Sequence, residues 1–89
     1  MIDVSIVIVG TNERKFVEKC LISIRASQTK YDLETLLVDN ASSDGTYEMV
    51  KRDFPEVRLI RNEEKLGYIH NNVMASRQTT GRYILLLQR

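Results

Sequence analysis

A chain of 89 residues holds one domain, and at this size folding buries about two-thirds of the unfolded surface, enough for a sheet with a few helices. With 43% apolar and 28% charged residues and one proline, the composition is that of a globular domain and not of a disordered segment. Thirteen basic against twelve acidic residues leave a net charge of +1, without the basic footprint of a nucleic-acid binder, and the lone Cys20 excludes an internal disulfide and a multi-cysteine metal site.

The first element is Val4 to Val9, nearly continuous Val and Ile with one Ser, the pattern of a strand covered on both faces. Asp3 precedes it and no basic n-region does, so it is neither a signal peptide nor a transmembrane helix. Gly10-Thr11-Asn12 breaks the strand, and Asn12 is the expected N-cap of a helix. Phe16, Val17, Cys20, Leu21 and Ile24 share one face of that helix, with Cys20 as a small buried hydrophobe.

Ser27 to Asp32 is a polar connection into Leu33 to Val38, a second buried strand that ends abruptly at Asp39. Asp39, Asn40, Ser42, Ser43 and Asp44 form a loop dense in hydrogen-bonding groups. Gly45 gives the backbone room to turn into a helix at Thr46, and Asp44 is suited to cap it. Tyr47, Val50 and Phe54 are its expected core positions, and Pro55 sets its end. Val57 to Ile60 reads as a third strand and Arg61 to Gly67 as a polar loop. Tyr68 to Thr80 reads as a weakly amphipathic helix with Ile69, Val73 and Ala75 or Met74 inward, and Gly81 as its stop. His70 is a surface residue in this reading. Tyr83 to Leu87 is a fourth strand, apolar enough to expect a central, doubly covered place.

The alternation β-α-β-α-β-α-β with short connections gives the fold class: α/β, a parallel, right-handed open sheet with flanking helices. Residues 1–89 are expected to be a single domain, truncated, because the chain stops two residues after Leu87. The apolar fourth strand, left exposed, should promote self-association.

In such sheets ligands bind at the carboxyl ends of the strands, where the polar loops Gly10 to Asn12, Asp39 to Asp44 and Asn62 to Gly67 converge. A dinucleotide fingerprint is missing from the first turn, which reads Gly10-Thr11-Asn12-Glu13-Arg14, and there is neither a P-loop nor a Gly-x-Ser-x-Gly elbow. A carboxylate such as Asp39, with backbone groups of the first loop opposite, suits the N3–H and flanking carbonyls of uracil or thymine.

Four blocks, Val4-Ser5-Ile6-Val7-Ile8-Val9-Gly10-Thr11-Asn12, Val38-Asp39-Asn40-Ala41-Ser42-Ser43-Asp44-Gly45-Thr46, Arg61-Asn62-Glu63-Glu64-Lys65-Leu66-Gly67-Tyr68 and Gly81-Arg82-Tyr83-Ile84-Leu85-Leu86-Leu87, resemble the family-two glycosyltransferases in order and spacing. The resemblance implies the N-terminal, nucleotide-binding half of a GT-A fold and a UDP- or dTDP-sugar donor. It makes Asp39 the acid on the base, Thr11 and Asn12 the first-loop residues around the nucleotide, Asn40 and Asp44 further residues of the second loop, and Gly67 the start of the third. Asn40 to Thr46 is similar to bacterial rhamnosyltransferases and other enzymes of surface polysaccharide synthesis. Where many relatives carry Thr-Tyr-Asn, this chain has Gly10-Thr11-Asn12, and Asn71-Asn72 stand one residue nearer the glycine than usual. Relatives follow the fourth strand with an Asp-x-Asp-like motif for a divalent cation, Mg or Mn, whereas this chain reads Leu87-Gln88-Arg89. No catalytic or metal-binding residue is therefore carried over, and the 89-residue piece is expected to be inactive. The resemblance and the lone cysteine imply a cytoplasmic protein, at the inner membrane face in its complete form. A non-catalytic nucleotide-binding or assembly module is the alternative.

Overall fold

A computed structural model describes residues 1–88. The elements are β1 (Val4–Gly10), α1 (Arg14–Ala26), β2 (Leu33–Asn40), α2 (Thr46–Asp53), β3 (Arg58–Asn62), α3 (Tyr68–Gln78) and β4 (Tyr83–Gln88). The strands form one parallel sheet in the order β3-β2-β1-β4, with Val9 beside Val38 and Gln88, and Asp39 beside Gly10 and Arg61. The expected α/β class and parallel sheet are both observed.

Handedness distributes the helices. The crossovers from β1 to β2 and from β2 to β3 step in one direction and β3 to β4 steps back past β1, so right-handed connections place α1 and α2 on one face and α3 on the other. The alternating side chains of the strands divide accordingly. Ile6, Ile8 and Leu37 join Val17, Leu21, Met49, Val50 and Phe54 in the larger core, while Val7, Leu36, Val38 and Ala75 make a thinner one under α3. Each fully buried Leu, Val or Ile contributes about 1.5–3 kcal/mol, so the face under α1 and α2 holds most of the stabilisation.

Several sequence expectations are corrected. Helix α1 begins at Arg14, and Asn12 is not its N-cap because its backbone turns left-handed, at φ 53°. In α3 the inward residues are Asn71 and Ala75, four apart on one face, whereas Ile69 and Val73 are 75% and 44% exposed; hydrogen bonds of Asn71 set the face, and hydrophobicity does not. Gly81 is not the helix stop. Helix α3 ends at Gln78, and Gly81 passes β1 so closely that a Cβ there would lie 2.6 Å from the backbone nitrogen of Ser5. Strand β4 is not central. Among the described residues it pairs with β1 alone, leaving Ile84 and Leu85 each 49% exposed. Tyr47 is only half-buried and lies under the guanidinium of Arg61, whereas Phe54 is core, with Arg25 stacked 4.4 Å from its ring centre.

Candidate functional site

The loops after β1 and β2 lead to one face of the sheet and the loop after β3 leads to the other, so they part at the carboxyl edge and leave a crevice. A cavity of about 450 Å³ lies there, lined by Thr11 of the first loop, Asn40 of β2, Lys65, Gly67 and Tyr68 at the start of α3, and Gln88 of β4. Another cleft, of about 280 Å³, lies at the opposite end of the sheet, where the charges are already paired: Arg25 with Glu56 at 2.8 Å and Arg58 with Glu34 at 3.1 Å.

The first and second loops are stitched together. The Thr11 hydroxyl donates to the carbonyl of Asn40 (3.0 Å), the Asn12 N–H to the Ser42 hydroxyl (2.9 Å), and the Ser43 N–H back to Asn12 Oδ1 (2.7 Å). Asp44 caps both neighbouring helices. Its Oδ2 accepts the Arg14 N–H that opens α1 (3.1 Å), and its Oδ1 accepts the N–H (3.1 Å) and hydroxyl of Thr46 that open α2. Burial raises the Asp44 pKa, but the bonds from the Thr46 hydroxyl and the two backbone N–H groups outweigh it and hold the carboxyl below its ordinary value. Ala41, at φ 61°, adopts the left-handed conformation that lets the chain leave β2 for this loop.

The third loop is held by amides. The Asn40 side chain grips the backbone of Leu66 at both its polar groups, its Oδ1 accepting the N–H (2.8 Å) and its Nδ2 donating to the carbonyl (3.0 Å). Asn71 Nδ2 donates to the same carbonyl (3.2 Å). Gly67 occupies the N-cap position of α3 at φ −74°, with open space where a Cβ would stand, so the fold places no steric demand for glycine there.

Of the residues expected from the sequence, Thr11, Asn40 and Gly67 line the cavity. Asn12 and Asp44 stand beside it, fastening the loops. Asp39 is fully buried on the α1–α2 side of β2, below the stitched loops, and neither carboxylate oxygen has a hydrogen-bond partner among the described residues. Lys65, Tyr68 and Gln88 join the cavity wall without having been singled out, and Asn71, noted for its spacing from the glycine, joins them; their place follows from the strand order, which local spacing does not reveal. No group of three or more His, Cys, Asp or Glu suited to a metal ion occurs among the described residues, and the cavity wall offers no such donor set for the divalent cation that the resemblance implies. No described helix is long and apolar enough to cross a membrane.

Residues 5–88 match the model of glycosyl transferase family 2. Among solved structures the chain is similar to the mannosyltransferase PcManGT from Pyrobaculum calidifontis, in complex with GDP-Man and Mn2+, with 29% identity and a TM-score of 0.81. The match covers 96% of this chain and 26% of that one, so the chain spans about a quarter of its neighbour's length. Curated protein sequences contain no match. The fold is thus the parallel α/β arrangement of GT-A glycosyltransferases, and with the family model covering nearly the whole sequence, the chain belongs to glycosyl transferase family 2.

Proposed function

We propose that this chain is the nucleotide-sugar-binding, N-terminal part of an inverting glycosyltransferase. The complete protein would take a UDP- or dTDP-linked sugar and transfer the hexosyl group to a saccharide or lipid-linked acceptor in bacterial surface polysaccharide synthesis. The observation that carries the donor-binding reading is the cavity at the carboxyl edge, walled by Thr11, Asn40 and Gly67, in a chain of this family. The solved neighbour's GDP-Man supports a nucleotide-sugar as ligand class, and its greater length supports a larger whole. The likeness of Asn40 to Thr46 to rhamnosyltransferases supports a dTDP-type donor.

Each site residue has a place in this reading. Thr11, Asn40 and Gly67 face the nucleotide, while Asn12 and Asp44 hold the loops that shape its pocket. Asp39 accepts the N–H of the base. Its two unpartnered oxygens support that role, because a buried carboxylate without hydrogen bonds is costly and a ligand donor would relieve it. The Mg or Mn ligands, the catalytic base and the acceptor site belong to other residues of the complete protein, so this piece alone does not transfer sugar. A cytoplasmic location, at the inner membrane face, fits an enzyme drawing on nucleotide-sugars.

Calorimetric titration of the chain with UDP, dTDP, ADP and GDP, each with and without manganese, tests the proposal. Binding of the two pyrimidine nucleotides, indifferent to metal, is the expected result. Preference for GDP would overturn the pyrimidine assignment, and no binding by a folded sample would overturn donor binding itself.

A further inference from the structure

Three asparagines from three different elements meet beneath the cavity: Asn40 at the end of β2, Asn62 at the end of β3 and Asn71 in α3, all buried. Asn62 is the one that does not line the cavity. Its Nδ2 spends one hydrogen on Asn40 Oδ1 (3.0 Å) and the other on Asn71 Oδ1 (2.8 Å). An amide can present either its oxygen or its nitrogen to a given neighbour, and this double donation fixes the choice for both partners. With their oxygens turned to Asn62, Asn40 and Asn71 each aim an N–H at the carbonyl of Leu66.

Leu66 is the residue before Gly67, so its peptide sets where Lys65, Gly67 and the first turn of α3 stand along the cavity. Because the Thr11 hydroxyl bonds the Asn40 carbonyl, the first, second and third loops form one hydrogen-bonded unit. A buried network of this kind holds one geometry when every member is satisfied and fails as a unit when one is removed.

We infer that Asn62 is a positioning residue for nucleotide binding, acting through the amides of Asn40 and Asn71 to hold the third loop against the cavity. The inference rests on the donor-binding reading for its ligand, and on the hydrogen-bond geometry alone for its mechanism. Substituting Asn62→Leu keeps the branched shape and removes both donors, while Asn62→Ser keeps one.

The test is amide NMR of the wild-type chain and both variants, titrated with UDP and dTDP. In Asn62→Leu the expected result is loss of hydrogen-exchange protection at the Leu66 N–H and of the distinct side-chain amide signals of Asn40 and Asn71. Protection in β1 and β2 should stay at the wild-type level. Nucleotide affinity should fall about tenfold, the worth of one to two buried hydrogen bonds, with Asn62→Ser in between. Wild-type affinity, or wild-type Leu66 protection, in folded Asn62→Leu would overturn the inference; if that variant does not fold, the same readings on Asn62→Ser decide it. A wild-type chain that binds neither nucleotide would overturn the donor-binding reading instead, and Leu66 protection would still report whether Asn62 holds the loop.

Discussion

Asp44 and Glu34 show how much of this small fold depends on single carboxylates that bridge distant segments. Asp44 caps α2 within its own loop and α1 from across the site. Removing it in Asp44→Ala leaves two helix N-termini without their acceptor, and at about 1 kcal/mol for each cap the variant should be about 2 kcal/mol less stable in urea denaturation. An unchanged midpoint would contradict the capping role. Glu34 works at the other end of the sheet. Its Oε2 accepts from the Ser5 hydroxyl (2.7 Å) and from the N–H of Thr80 (2.8 Å), and its Oε1 pairs with Arg58. Burial pushes its pKa up, but the bonds from Thr80, Ser5 and Arg58 outweigh this and bring it from 4.5 to about 2. A folded pKa below the unfolded one makes its contribution complete above about 4.5 and lost as pH falls toward about 2. Glu34→Gln should therefore be less stable than wild type at neutral pH, with the gap closing across that acid interval; a gap independent of pH would contradict the assignment. Asp44 was legible in the sequence as a cap for the helix that follows it, but not for α1, since nothing local says which loops will touch. Asn62 was legible only as part of the third loop, not in its own role: one asparagine at a strand end is indistinguishable from a turn residue until its partners are known.

At the scale of elements, the strands were legible because branched apolar runs such as Val4 to Val9 and Leu33 to Val38 leave little alternative to a covered strand. Helix α3 was legible in extent but not in orientation. Its apolar residues are spread around the axis, and the buried amide of Asn71 took the inward place that Ile69 and Val73 were expected to fill. The join between α3 and β4 shows the same limit. Gly81 reads as a helix stop by habit of sequence, yet its place is fixed by contact with β1: its N–H donates to the Ser5 hydroxyl (2.8 Å), and a Cβ would lie 2.9 Å from the Val4 carbonyl carbon. Gly81→Ala should push β4 away from β1 and lower stability by about 1–3 kcal/mol, the range for overpacking a tight contact. Thermal unfolding with an unchanged midpoint would show that β4 shifts at no cost.

For the molecule as a whole, strand order decides both what the sheet binds and what it leaves uncovered. Placing β4 beside β1 opens the carboxyl-edge cavity, and it also leaves Tyr83, Ile84 and Leu85 on an edge with unpaired backbone groups among the described residues. Self-association of the isolated chain through that edge should appear in light scattering as a mass that rises with concentration, and a constant monomer mass would contradict it. The other consequence of the same strand order is the cavity at the carboxyl edge, proposed to hold the nucleotide. The most direct test of that role is an amide NMR titration of the chain with UDP and dTDP, followed residue by residue. The expected result is a set of shifts gathered at Thr11, Asn12, Asp39 to Asp44 and Leu66 to Tyr68, around the cavity. Shifts at the opposite end of the sheet, near Arg25 and Glu56, or none in a folded sample, would contradict it.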